Sequence, residues 1–141
     1  MNLRIIELNK YDNSKGLVYE GLKSSALDFD DFGEVYFSEV LKGDTKGWKQ
    51  HKRMQMNLIV VLGNVTFYFF DERTGIKTRV NAGETNYRRI IVPPELWVAF
   101  SGNDEKNIIC NVASIEHDPD EQVNKPLAEF ELSDDEFVEI S

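Results

Sequence analysis

Short runs rich in β-branched and aromatic side chains recur about every ten residues along this chain, separated by turn residues. This feature limits its folding most, because such spacing belongs to an all-β sandwich or barrel rather than to alternating strands and helices. The runs predict strands at 3–8, 16–23, 34–41, 45–53, 56–62, 64–72, 76–81, 86–92, 96–101 and 107–115. Residues 24–33, acidic and closed by Gly33, suit a loop or a single helical turn. Between the runs 56–62 and 65–70 stands Gly63-Asn64, a dipeptide that accepts positive φ and predicts a tight hairpin. Neither flanking run alternates cleanly, so both faces of this central region are expected to be covered. Ser133 and Glu136 have capping-box spacing, which predicts a short helix after Ser133.

The length, 141 residues, suffices for one sizeable core, and nine Phe, five Tyr and two Trp supply bulk for it. No repeat or linker interrupts the chain, which reads as one domain over 1–141 with an acidic tail at about 126–141. The net charge of −9 is concentrated there: six acids and no Lys or Arg follow Lys125, leaving an excess of only three acids over residues 1–125. A nearly balanced body disfavours nucleic acid and anionic membrane as partners, both of which select a basic surface. It still permits a small anion in a local basic pocket. No apolar run reaches the roughly 20 residues of a membrane-spanning helix. The opening residues show no signal-peptide layout, and the lone Cys110 forms no internal disulfide, so a cytoplasmic protein is expected.

If the strand at 45–53 is regular, Lys49, His51 and Arg53 leave one face together. His51 is the natural proton acceptor, since histidine is the residue type suited to proton exchange near neutrality and the chain has only two, His51 and His117. Lys49 and Arg53 beside it would hold a diphosphate, an enolate or both. Tyr36 is a candidate proton donor. Arg73, Arg88 and Arg89 are further candidates for phosphate; Arg88 and Arg89 are adjacent, so at most one reaches a pocket. Trp48, Trp97 and Tyr36 suit stacking on a nucleobase or a place in the core. The plain alternative for the charged residues is a solvated sheet face. With two His and no His-x-His, neither a metal nor another cofactor is expected.

The stretch Lys46-Gly47-Trp48-Lys49-Gln50-His51-Lys52-Arg53-Met54 and the strands after it resemble the core of the dTDP-4-dehydrorhamnose 3,5-epimerase (RmlC-like) family. Phe70-Asp71-Glu72-Arg73 resembles its strand ending in Asp-x-Arg. The segment 91–100 resembles its Ile-Pro-x-Gly-Phe-x-His-Gly-Phe, and His117-Asp118-Pro119-Asp120-Glu121 its Tyr-x-Pro-x-x-Glu ending. Residues 46–52 also resemble the Arg-Gly-His-His-Ala-His-Lys segment of dTDP-sugar 3,4-ketoisomerases. The matches run in order over about residues 34–121.

The resemblance implies a cupin, a jelly roll of two antiparallel sheets. It implies proton transfer next to the keto group of a nucleotide-diphosphate-linked 4-keto-6-deoxyhexose, dTDP-linked first of all, in surface-polysaccharide biosynthesis. A homodimer is implied as well. The site would comprise His51, Lys49 and Tyr36 as catalytic groups, with Lys46, Arg53, Asn57, Arg73, Arg88, Trp97 and Asn111 as substrate contacts. Four positions depart from the epimerase pattern: Lys49 stands for the base His, Asn57 for a Lys, Asn111 for the proton-donating Tyr, and Val98 for the His of the Pro segment. The alternatives are therefore a catalytically inactive cupin that binds a sugar nucleotide or carbohydrate, and a structural or assembly subunit.

Overall fold

In the computed structural model, residues 2–133 and 135–140 are described, and nearly all regular structure is β. The strands are β1 (Arg4–Glu7), β2 (Lys10–Tyr11), β3 (Val18–Tyr19), β4 (Glu34–Leu41), β5 (Thr45–His51), β6 (Met56–Leu62), β7 (Asn64–Asp71), β8 (Ile76–Gly83), β9 (Arg88–Val92), β10 (Trp97–Gly102), β11 (Lys106–Ala113), β12 (Gln122–Asn124) and β13 (Val138–Ile140). One sheet has the order β1-β9-β6-β11-β4 and the other β12-β5-β10-β7-β8-β13; β2 and β3 form a small ribbon. All pairings between these strands are antiparallel except that of β13 with β8. The two sheets pack face to face as a jelly roll of the cupin kind.

Period-two patterning builds the interior. In β7 the buried Val65, Phe67 and Phe69 point between the sheets, while Tyr68 and Phe70 point outward. Leu58, Val60, Ile90, Val92 and Ile109 meet them from the opposite sheet. A second apolar cluster lies on the outer face of the six-stranded sheet. There Trp48, Trp97 and Ala99 are covered by Phe137, with Phe130 and Leu132 of the tail packed alongside. The tail thus spends its large side chains on the sheet, although Val138 stays exposed. No helix of the described residues is long and apolar enough to cross a membrane.

Four expectations need correction. Gly63 does adopt positive φ, at 83°, but it does not close a hairpin. Strand β6 lies between β9 and β11, and β7 between β10 and β8, so the turn carries the chain from one sheet to the other. Asn64 N–H and Gly63 N–H are captured there by Asn107 Oδ1 (2.9 Å) and Glu84 Oε2 (3.0 Å). The strand expected at 16–23 shortens to Val18–Tyr19. No helix follows Ser133 among the described residues: Asp134 lies outside them, and the chain turns and enters β13, which gains a ladder with β8 that an isolated helical turn would lack. The strand expected at 45–53 also stops early, at His51, for a reason given below.

Gly63 and Gly43 separate two costs of a side chain. Both have positive φ, but a Cβ on Gly43 meets nothing within 4 Å, whereas one on Gly63 overlaps the Lys106 carbonyl and Asn107 Oδ1. Gly43→Ala should cost only about 1 kcal/mol, the ordinary left-handed penalty. Gly63→Ala should cost at least about 3 kcal/mol, because strain adds to overlap with backbone. Urea unfolding of the two variants tests this, and equal midpoints would contradict it.

Candidate functional site

Strand β5 places the cavity's basic side chains. Trp48 faces outward into the second cluster, while Lys49 and His51 face between the sheets. A bulge then changes the pattern: Val98 pairs with Lys49, but Phe100 pairs with Lys46, so Gly47 and Trp48 together oppose Ala99. The extra residue brings Lys46 to the cavity face although it lies three positions from Lys49. The inward row is therefore 46, 49 and 51, not 49, 51 and 53.

Glu121 explains the end of the strand. It closes a 3-10 turn, Pro119–Glu121, whose preceding Asp118 accepts from Asp120 N–H at 3.0 Å. The Glu121 side chain is buried, and its Oε1 pairs with His51 Nδ1. Its Oε2 accepts from the backbone N–H groups of Lys52 (3.1 Å), Arg53 (3.1 Å) and Met54 (3.3 Å). These donors converge on one oxygen, so the chain curls around the carboxylate and the ladder with β10 cannot continue. Burial alone would raise the Glu121 pKa; hydrogen bonds from His51 and the Arg53 backbone, the charge interaction with His51 and the Met54 backbone bond outweigh it and hold the carboxyl below its ordinary range. With Nδ1 engaged, the other ring nitrogen of His51 is the one left for the cavity.

The facing sheet contributes Tyr36 and Ser38 from β4, Ile109 and Asn111 from β11, and Met56 and Leu58 from β6. Tyr36 Oη accepts from Asn111 Nδ2 at 2.8 Å. Burial raises the Tyr36 pKa; the Asn111 bond lowers it in part, and the charges of Glu34 and Glu121 raise it again, so the phenol keeps its proton at neutral pH. The cavity, open to solvent at Lys46 and Lys49, measures about 330 Å³. Its polar side is made by Tyr36, Ser38, Lys46, Lys49, His51, Asn111 and Asn124, and its apolar side by Met56, Leu58, Phe67, Val98, Phe100 and Ile109. Among the described residues, no three His, Cys, Asp or Glu side chains are grouped to hold a metal ion.

The structure thus brings Tyr36, Lys46, Lys49, His51 and Asn111 to one cavity. It places the other candidates elsewhere, each for a physical reason. Arg53 lies beyond the end of β5, exposed, with Nη2 3.2 Å from Asp118 Oδ2. Arg73 is held outside by Asp71 and by Glu95 Oε2 at 3.0 Å. Asn57 sits between Met56 and Leu58 and so leaves the opposite face, where its Oδ1 accepts from Arg89 at 2.8 Å. Arg88 and Arg89 are not surface charges: they are 2% and 3% exposed, Arg88 donating to Asn81 O and Arg89 to Asp28 Oδ1 (2.9 Å). Trp97 packs in the outer cluster with its Nε1 on Glu72, beneath Lys125, so it is core and not a stacking platform. Ser38, Asn124 and Glu121 were not singled out from sequence. Only Glu121 carried a signal there, as the last residue of the segment His117–Glu121 that resembles the family's ending; its partner lies 70 positions away.

Since the Glu121 pKa is lower folded than unfolded, its pairing stabilises the protein fully above the ordinary glutamate value of about 4.3, and this contribution fades as pH falls through the folded value. Glu121→Gln should therefore be less stable than wild type at about pH 7, with the gap shrinking towards about pH 3.5. Denaturant unfolding at both pH values checks this; a gap independent of pH would contradict it.

Comparison with known proteins adds the lineage. The family model described as FdtA, WxcM-like, C-terminal, matches residues 1–132. The dTDP sugar isomerase from Desulfovibrio desulfuricans G20 is 30% identical, with a TM-score of 0.88 over 91% of this chain and 86% of that one. Two more distant structures share the fold. They are the 3,5-epimerase RmlC from Legionella pneumophila Philadelphia 1, in complex with dTDP-4-keto-L-rhamnose (21% identity, TM-score 0.76, 86% and 71% covered), and a mutant 3,4-ketoisomerase QdtA from Thermoanaerobacterium thermosaccharolyticum, in complex with TDP-4-keto-6-deoxyglucose (19%, 0.75, 86% and 86%). Among curated proteins, none matches the sequence. A cupin sandwich, a buried histidine at its cavity and a family match over nearly the whole length agree: the chain belongs to the WxcM-like, RmlC-like cupin family of dTDP-sugar epimerases and 3,4-ketoisomerases.

Proposed function

We propose that this protein epimerises or isomerises a nucleotide-diphosphate-linked 4-keto-6-deoxyhexose, dTDP-linked by analogy with its relatives, in cytoplasmic surface-polysaccharide synthesis. The observation that carries the reading is the His51–Glu121 pair at a cavity that also holds Tyr36 and two lysines. Proton removal next to a carbonyl needs a base of near-neutral pKa and a group that stabilises the enolate. His51, oriented through Nδ1 by Glu121, is the base. Lys49 faces the enolate oxygen or the diphosphate from the same strand, and Lys46 extends the positive charge towards the phosphates. Tyr36 returns a proton to carbon. Base and acid come from opposite sheets, so a sugar ring between them is addressed on its two faces, as inversion at a carbon requires. The apolar side, Met56, Leu58 and Phe67, suits a deoxy methyl group better than a hydroxyl, which it would leave unpaired.

A homodimer belongs to the proposal. Strand β4 is an eight-residue sheet edge, and Val35, Phe37 and Leu41 on it are all exposed, a surface that favours pairing with a second copy. The second reading, a silent sugar-nucleotide binder, is favoured by Val98 and Asn111, which line the cavity where the epimerases carry His and Tyr.

Proton–deuterium exchange at the sugar carbons separates the two. Incubated with a dTDP-4-keto-6-deoxy sugar in deuterated water, the wild-type protein should catalyse exchange, and His51→Ala should reduce it by on the order of 10²-fold or more. Tight binding without exchange would replace the catalytic reading with the silent one.

A further inference from the structure

Resting on the acid role of Tyr36, we propose that Asn111 is a positioning residue, locked in one amide orientation from behind the sheet, that directs the Tyr36 proton into the cavity. The lock begins at Arg89, whose guanidinium can only donate. Its Nη2 lies 2.9 and 3.1 Å from the two Asp28 carboxylate oxygens and its Nη1 2.8 Å from Asn57 Oδ1. The Asn57 amide nitrogen is thereby turned to Val112 O, at 3.2 Å, and the residue is fixed at both ends of its side chain. The backbone N–H of Asn57 then donates to Asn111 Oδ1 at 3.2 Å. A donor can face only the oxygen of that amide, so the Asn111 nitrogen must face Tyr36, where it lies 2.8 Å from Oη.

The direction of this last bond matters chemically. Nδ2 donates, so the phenol oxygen accepts and its own proton cannot point at Asn111. Among the described residues the only other partner of that hydroxyl is the Met54 thioether at 3.9 Å, a weak acceptor. A carbanion or oxygen of a bound sugar competes with it easily. In the transfer the Tyr36 O–H bond breaks, a C–H bond forms at the substrate carbon, and the electron pair stays on the phenolate oxygen. Asn111 Nδ2 is already aimed at that developing charge. The proton taken from substrate by His51 later returns to the phenolate through water, which restores both groups. An Asn at the position where the epimerases carry their Tyr is, on this account, the support of a donor supplied from β4 instead.

Asn111→Asp is nearly isosteric but sets an acceptor against the Tyr36 hydroxyl and draws its proton out of the cavity. In protein labelled with ¹³C at tyrosine Cζ, with the signal assigned through Tyr36→Phe, Tyr36 should titrate at higher pH in both Asn111→Asp and Asn111→Leu than in wild type. On a substrate that shows exchange, Asn111→Asp should lose on the order of 10²-fold in kcat with KM little changed, and should cause no further loss in a Tyr36→Phe background. The NMR measurement needs no substrate, so it decides the positioning role even where no exchange is found. A Tyr36 titration unmoved in both Asn111 variants, or an equal loss in the Tyr36→Phe background, would overturn the proposal.

Discussion

A carboxylate taken out of water must be paid for by partners, and Glu121 gathers four of them. One is the ring of His51; the others are three consecutive backbone N–H groups, that of Lys52 shared with the Glu121 carbonyl at 2.8 Å. This one interaction stops β5 at His51, swings Arg53 out to solvent, ties β12 to the edge of the sheet and selects the His51 nitrogen that meets the cavity. Removing one partner of such a buried pair typically costs about 3–5 kcal/mol, because the remaining group is left unsatisfied. The local shape of the site and the chemistry of its base thus have a common cause.

The cavity is polar on one side and apolar on the other because of the order of strands in the two sheets. Its polar groups come mainly from β4, β5 and β12, at or next to the sheet edges, and its apolar wall from the more central β6, β7 and β10. The far side of β5 is also held. Trp48 Nε1 donates to Leu127 O (3.1 Å) and Phe130 O (3.2 Å), and Phe130 meets its ring edge-on. The acidic tail therefore works as packing: its aromatic residues back the strand whose opposite face carries Lys49 and His51.

Much of the fold was legible because it follows from local alternation. The strands at 34–41 and 56–62 have the expected limits, and the unbroken burial of Met56–Val60 matches a run with no clean period. What escaped depends on distant partners. Gly63-Asn64 has the local chemistry of a hairpin, but whether two strands pair is decided by their other neighbours, and here both had two already. Strands β12 and β13, three residues each, exist only through the edges they join. In the site, strict period-two extrapolation joined Arg53 to Lys49 and His51, because neither the bulge opposite Ala99 nor the pull of Glu121 is visible over nine residues. Arg88 and Arg89 suggested phosphate contacts or solvated charges because their actual partners, Asn81 for one and Asp28 and Asn57 for the other, are brought to them only by the fold.

The dependence of the site on Glu121 is tested most directly by the ¹⁵N signals of the His51 ring at neutral pH, separated from those of His117 by the variant His51→Asn. The account predicts the tautomer with the proton on Nδ1, shared with Glu121, and a bare Nε2 facing the cavity. A ring protonated on Nε2 with Nδ1 bare would contradict it, since the carboxylate would then not be orienting the base.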